Sequence, residues 1–199
     1  MNNTYNEIMK GVKATTSYPV SARGTTGLIS RPEAEWLYRI PRVLGPGMYA
    51  ELGTFRGRSA CVLGETISKL PDSKLVTVDA FDDRFVSRRF RIPDADIYKT
   101  VTDLFGSRGL SPYILAIQSD TAEAASQFTD DTFRFLFIDA GHSYEAVKAD
   151  FEAWNSKVEQ DGIIAFHDSY KNEIQDFHSE IAGWKEFDRI DTLSVWRRV

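Results

Sequence analysis

Four segments end an apolar run in groups able to do chemistry. "MYAELGTFRGRS" sets Glu51 before a turn holding Gly53 and Gly57, and "LVTVDAF" leads into Asp79. "FLFIDAGHS" runs into Asp139 and His142, and "GIIAFHDS" ends in His167 and Asp168. An imidazole of near-neutral pKa among carboxylates can take a proton from a hydroxyl. The same groups could hold a cation, or only cap helices and satisfy loops. Glycines in the turn let the backbone come close to a ligand. The spacing is E-x-G-x-x-x-G, without the middle glycine of the G-x-G-x-x-G turn that lays a pyrophosphate on a helix N-terminus. Glu51, an acid before the turn, would repel a phosphate and suits a ligand with a cationic head. Asp79 is placed to accept two hydroxyl hydrogen bonds from a ribose, a role the glycine turn upstream favours over that of a helix cap. "YILAIQSD" supplies Ser119 and Asp120 to a base edge, with Asp120 equally able to cap a helix starting at Thr121.

These groups need a scaffold that brings strand ends together. Ser30 followed by Glu33 forms a capping box, which opens a helix over "EAEWLYRI" that ends before the glycines of "LGPGM". Beyond it, "MYAELGT", "KLVTVDAF", "YILAIQSD", "FRFLFIDA" and "GIIAFHDS" read as strands. Between and after them, "GRSACVLGETISKL", "DADIYKTVTDLF", "TAEAASQF", "YEAVKADFEAWNSKV" and "NEIQDFHSEIAGW" read as helices. This alternation predicts an α/β fold with a mostly parallel sheet covered on both faces. The tail "EFDRIDTLSVWRRV" holds two short strands joined near Asp191 and Thr192 with no helix between them, hence antiparallel. Ligands of such sheets bind beyond the carboxyl ends of the strands, near the topological switch point. A strand–helix–strand crossover joins neighbours, so Asp139, His142, His167 and Asp168 should surround one opening. His178 falls within the last helix and reads as structural, and Cys61 reads as a small core residue.

Composition narrows the function classes. The chain has 199 residues, 42% of them hydrophobic, enough for one domain with a core. Residues 1–26, polar and without period, are expected to be a flexible arm or lid on a single domain spanning 27–199. A net charge of −5 argues against a general nucleic-acid surface. The local exception is "RFVSRRFR", residues 84–91, with four arginines. It reads as a solvated face paired with Asp82, Asp83 and Asp94; attraction of an acidic substrate is the alternative. No apolar run approaches the roughly 18 residues of a membrane span, and no basic-then-apolar leader is visible. One cysteine permits no intrachain disulfide, so a reducing, cytoplasmic compartment is the expectation. Nothing in the sequence speaks to oligomeric state.

Taken in order and spacing, "AELGTFRGRSA", "VTVDAF", "FLFIDAGHSYEAVKADFEAW" and "GIIAFHDS" resemble the class I S-adenosylmethionine-dependent methyltransferases. The nearest likeness is to the small O-methyltransferase-like group whose fourth strand runs I-D-G-D-H-S-Y-E, and it covers roughly residues 27–199. The resemblance implies a Rossmann-like, seven-stranded sheet whose last strand is antiparallel. It implies that Glu51, Gly53, Thr54, Phe55, Gly57 and Ser59 hold the methionine part of the cofactor. Asp79, with Ala80 and Phe81, would hold the ribose, Ser119 and Asp120 would lie near adenine, and Asp139 beside the sulfonium. In metal-using members a divalent cation sits at positions matching Asp139, His167 and Asp168. Gly141 stands where the usual motif has a second Asp, a proposed base. His167 stands where metal-using relatives have an acid or amide, which tilts any metal toward manganese, iron or zinc.

The activity implied is methylation of a small-molecule hydroxyl, which needs nucleophile, carbon and sulfur held in line. His142 or His167, with Asp139, would handle the proton. The alternatives are a non-catalytic cofactor-binding member and an NAD-linked oxidoreductase.

Overall fold

The computed structural model describes residues 19–82 and 96–199. Ser30 and Glu33 form the expected capping box, Glu33 Oε2 accepting the Ser30 N–H at 2.7 Å, and it opens helix α1 (Arg31–Leu44). Strands β1 (Met48–Leu52), β2 (Lys74–Asp79), β3 (Ile114–Gln118), β4 (Phe133–Ile138) and β5 (Val158–Phe166) follow. They alternate with α2 (Arg58–Ile67), α3 (Ile97–Ser107), α4 (Thr121–Ala124) and α5 (Tyr144–Trp154). Helix α6 (Asn172–His178) leads to the hairpin of β6 (Trp184–Ile190) and β7 (Leu193–Arg198).

The sheet has seven strands in the order β3-β2-β1-β4-β5-β7-β6. Its first five strands pair parallel, and β7 pairs antiparallel with both β5 and β6. The alternation of side chains along a strand explains why β4 is apolar without a break from Phe135 to Ile138. Phe135 and Phe137 enter the layer under α1 and α2, while Leu136 and Ile138 enter the layer under α5 and α6. Strand order reverses between β1 and β4, and the carboxyl ends of both strands point to the same edge.

Two boundaries differ from the sequence reading. The last helix ends at His178 with Ser179 as its C-cap, and beyond it Gly183 turns the chain with φ of +77° before Trp184 enters β6. Strand β5 starts at Val158, four residues before Gly162, through a register shift against β4.

Residues 1–18 and the arginine cluster 84–91 lie outside the described residues. Within the expected arm, Val20 is exposed while two residues further on reach the domain. Ala22 and Thr25 are buried, and Arg108 donates to the Thr25 hydroxyl at 2.6 Å. His178 is structural, as read. Its ring lies 4.8 Å from those of Phe166 and Trp196, and burial holds its pKa down at about 4. Cys61 is buried in the core, its thiol pushed up to about 12.

Candidate active site

A cavity of about 770 Å3 opens at the carboxyl ends of the parallel strands. Small-molecule sites typically span roughly 300–1,000 Å3. Its wall takes the turn after β1 at Gly53–Phe55, Asp79–Asp82 after β2, Asp120–Ala122 after β3 and Asp139–His142 after β4. Asp168 and Lys171 close it from beyond β5, and Gly27–Ile29 from before α1. Six aspartates line it against Arg58 and Lys171, so its field favours a ligand with cationic groups.

The turns at its rim are strained. Phe55, Phe81 and Asp168 have φ of 48°, 51° and 54°, a conformation that costs a bulky residue roughly 1–3 kcal/mol. Asp79 holds two of the three in place. Its carboxylate accepts the Phe55 N–H at 2.8 Å and the Phe81 N–H at 2.7 Å, tying the β1 and β2 turns together. Gly53 has a different reason for being glycine than ligand approach. A Cβ there would lie 2.4 Å from the backbone oxygen of Asp139, so the close contact is with the end of β4.

Nine of the residues expected at a cofactor border the cavity: Gly53, Thr54, Phe55, Ser59, Asp79, Ala80, Phe81, Asp120 and Asp139. Glu51, Gly57 and Ser119 do not, and each has a physical reason. Glu51 is fully buried opposite Thr77 in the β1–β2 register, where it accepts the Thr77 hydroxyl. Burial pushes its pKa to about 8 against the favourable hydroxyls of Ser59 and Thr77, and one carboxylate oxygen has no aligned hydrogen bond. Burial thus favours the neutral form of Glu51 over the charged acid expected before the turn. Gly57 faces α3, with Phe105 and Val101 in the way of any Cβ. Ser119 donates its N–H to the Asp79 carbonyl at 3.0 Å, while Asp120 caps α4 by accepting the Glu123 N–H at 3.1 Å. At Gly141 a Cβ would sit 2.3 Å from that of Ala146, so the second Asp of the usual motif has no room beside this helix.

The two candidate bases separate. His142 borders the cavity with 38% of its side chain exposed. Burial lowers its pKa from the ordinary imidazole value; Asp139 opposes that and Lys171 reinforces it, which favours the neutral ring. His167 lies beneath the cavity floor and is only 5% exposed. Its Nδ1 is 2.8 Å from Asp139 Oδ1, an ion-pair contact off the N–H axis, and its Nε2 is 3.4 Å from Glu33 Oε2. Burial alone would discharge this ring, but the Asp139 and Glu33 carboxylates outweigh it and raise the pKa to about 10.

His167 Nδ1 faces Asp139 Oδ1 at 2.8 Å and Asp168 Oδ1 at 3.6 Å, and the other Asp168 oxygen is paired with Lys171. Among the described residues no group of three His, Cys, Asp or Glu side chains is arranged to hold a metal ion. The expected cation set of Asp139, His167 and Asp168 does not fit one, because its side chains pair with one another and with Lys171.

The cavity also takes residues that the sequence reading missed, chiefly Arg58, Thr121, Asp150 and Lys171. Asp150 left a signal. It lies within the apolar stripe of Val147, Phe151 and Trp154 on α5, where an acid is out of place. It accepts the Thr121 hydroxyl at 2.5 Å, and burial pushes it up to about 6.

A family profile described as a methyltransferase domain matches residues 50–169, more than half of the 199. The chain belongs to this family. The match runs from β1 through Ser169 and so contains most of the cavity wall of the methyltransferase domain. Solved structures share its fold at low identity. A methyltransferase from Geobacter sulfurreducens is 13% identical with a TM-score of 0.68, over 100% of this chain and 99% of that one. The O-methyltransferase TomG from Streptomyces achromogenes, solved with SAM, is 12% identical with a TM-score of 0.65, over 100% and 99%. An O-methyltransferase from Bacillus cereus, solved with SAH, is 16% identical with a TM-score of 0.59, over 98% and 89%. Membership in a methyltransferase family sets the oxidoreductase alternative aside. Among the described residues no helix is long and apolar enough to cross a membrane.

Proposed function

We propose that the cavity binds S-adenosylmethionine and that the chain methylates the hydroxyl of a small molecule, as members of the I-D-G-D-H-S-Y-E type group do. The observation that carries this reading is Asp79. Its carboxylate already joins two turns at the cavity rim and keeps lone pairs free for the vicinal hydroxyls of a ribose. The acid-rich wall suits the sulfonium and ammonium of such a ligand, and neighbours of the same fold carry SAM or SAH.

Bound there, the cofactor would supply an electrophilic methyl carbon. The chain's own contribution is position and proton transfer. Gly53–Phe55 and Ser59 would cradle the amino-acid end, while Asp120 and Thr121 would border the base. His142, neutral and facing the cavity, would take the proton from the acceptor hydroxyl. His167 already carries its proton and is no base at neutral pH. Asp139 would stand near the sulfur. The acceptor would enter between Gly27–Ile29 and Lys171.

Calorimetric titration with SAM, SAH and NAD tests the cofactor. SAM and SAH should bind and NAD should not; binding of NAD alone would end the reading. A panel of phenolic, sugar and hydroxy-acid acceptors, followed by SAH release, then tests turnover. Binding without turnover on any acceptor would identify a non-catalytic member.

A further inference from the structure

We propose that Glu33 is a positioning residue of this site, acting through His167 to hold the Asp139 carboxylate toward the cavity. The inference rests on the cofactor reading above and assigns a role to a side chain outside the cavity wall.

As a capping-box residue Glu33 needs one contact, to the Ser30 N–H. It makes more. Oε2 also faces His167 Nε2 at 3.4 Å, and Oε1 accepts both the N–H and the hydroxyl of Thr192, at 2.9 and 2.6 Å. The side chain is 1% exposed. Capping glutamates are ordinarily solvated, and burying a carboxylate is unfavourable unless every lone pair is met and a counter-charge stands by. Here both conditions hold, through residues remote in sequence. Stability of the helix terminus alone does not require them.

What the arrangement achieves is orientation. An imidazole gripped at one nitrogen can still turn about its ring bond. Glu33 at Nε2 and Asp139 at Nδ1 fix both ends. Phe137 packs against the ring at 6.2 Å between centroids. The ring so fixed presents Nδ1 to Asp139 Oδ1 at 2.8 Å, and that contact selects the rotamer in which Asp139 borders the cavity. Burial of Glu33 pushes its pKa up, but the bonds from His167 and Thr192 outweigh this and hold it at about 2, so its charge facing the ring persists.

The test compares ligands that differ in charge at sulfur. A merely structural lesion weakens SAM and SAH alike; a misdirected Asp139 weakens the cationic SAM more. For Glu33→Gln, which keeps an acceptor for Thr192, the ratio Kd(SAM)/Kd(SAH) should rise at least about fivefold, the lower end of coupling between linked sites. Asp139→Asn should raise it similarly. Thr192→Val, which removes a bond to the same carboxylate but leaves the His167 contact, should lower stability and leave the ratio within twofold. If Glu33→Gln does not fold, His167→Gln is measured instead, with the same rise expected. An unchanged ratio in Glu33→Gln or in Asp139→Asn overturns the proposal.

Should the wild type bind neither ligand, the cofactor reading fails, and the relay is judged without ligand. The His167 ring N–H proton resonance should be sharp and slow to exchange in the wild type and lost in Glu33→Gln. Its persistence in the variant would refute the positioning role.

Discussion

Replacing Gly53 by alanine probes the contact between the ends of β1 and β4. Two costs combine. The residue has φ of +92°, where an L side chain is strained by roughly 1–3 kcal/mol. The added Cβ would also meet three backbone atoms, Asp139 O at 2.4 Å, Asp139 C at 2.6 Å and Ala140 N at 2.7 Å. These lie about 1 Å inside normal contact distance, and backbone cannot swing away as a side-chain tip can. Overpacking of this kind costs about 1–3 kcal/mol. The combined loss is about 4 kcal/mol, or roughly 8–16 °C in melting temperature for a domain of this size. Gly109 is an internal control. It has φ of +68° with nothing within 4 Å of a Cβ, so Gly109→Ala carries only the strain. Calorimetric melting of both variants isolates the clash, and SAH affinity should fall only in Gly53→Ala, because the peptide that moves carries Asp139. Equal melting shifts in the two variants would refute the close-approach argument.

Four further outcomes are expected. Asp79→Asn can accept only one of the two backbone N–H groups and should weaken SAH binding by about 1–3 kcal/mol; titration calorimetry showing wild-type affinity in a folded variant would remove Asp79 from the ribose site. The Glu33–His167 pair makes stability depend on pH in both directions. Glu33, held at about 2, contributes above pH 4.5 and loses that contribution as pH falls toward 2; His167, raised to about 10, contributes fully below pH 6.5 and loses it as pH rises through 10. Urea unfolding should therefore show wild type losing stability from pH 7 to 10 more steeply than His167→Gln, and parallel slopes would contradict it. With an acceptor in hand, His142→Gln should slow turnover by about 10²–10⁴-fold while the Kd for SAH moves less than twofold; an unaffected rate would disqualify His142 as base. Exhaustive chelation should leave SAH affinity and turnover unchanged, and a metal-specific recovery on adding back manganese would overturn the assignment of His167 as a fixed cation.

Local signals in the sequence were read where the cause is local. Ser30 and Glu33 are three residues apart, and the cap they predict is present. Asp79, Asp139 and Asp168 stand at the carboxyl ends of the parallel strands β2, β4 and β5, and topology alone brings them to one cavity. Facing and pairing at a distance are not legible in the same way. The position of Glu51 before the turn points to the ligand edge, but its register opposite Thr77 directs it into the sheet, where burial raises its pKa. Asp120 and Ser119 follow the same strand, yet only Asp120 reaches the cavity. The burial of Glu33 depends on Thr192, 159 residues away, a separation no periodicity or motif reports.

That separation also bears on how the chain acquires its shape. The turn between β6 and β7 docks on Glu33 through Thr192, and β7 must slot between β5 and β6 for the turn to arrive there. Contacts that close such long loops form late, after local hairpins and crossovers. On that order the floor under Asp139 would be completed by one of the last segments to settle. An intermediate with β1 to β5 in place would possess the glycine turn and Asp79 but lack a secured His167. Ligand capture then reports completed folding, and protease protection of the β6–β7 hairpin should appear together with the binding-competent cavity.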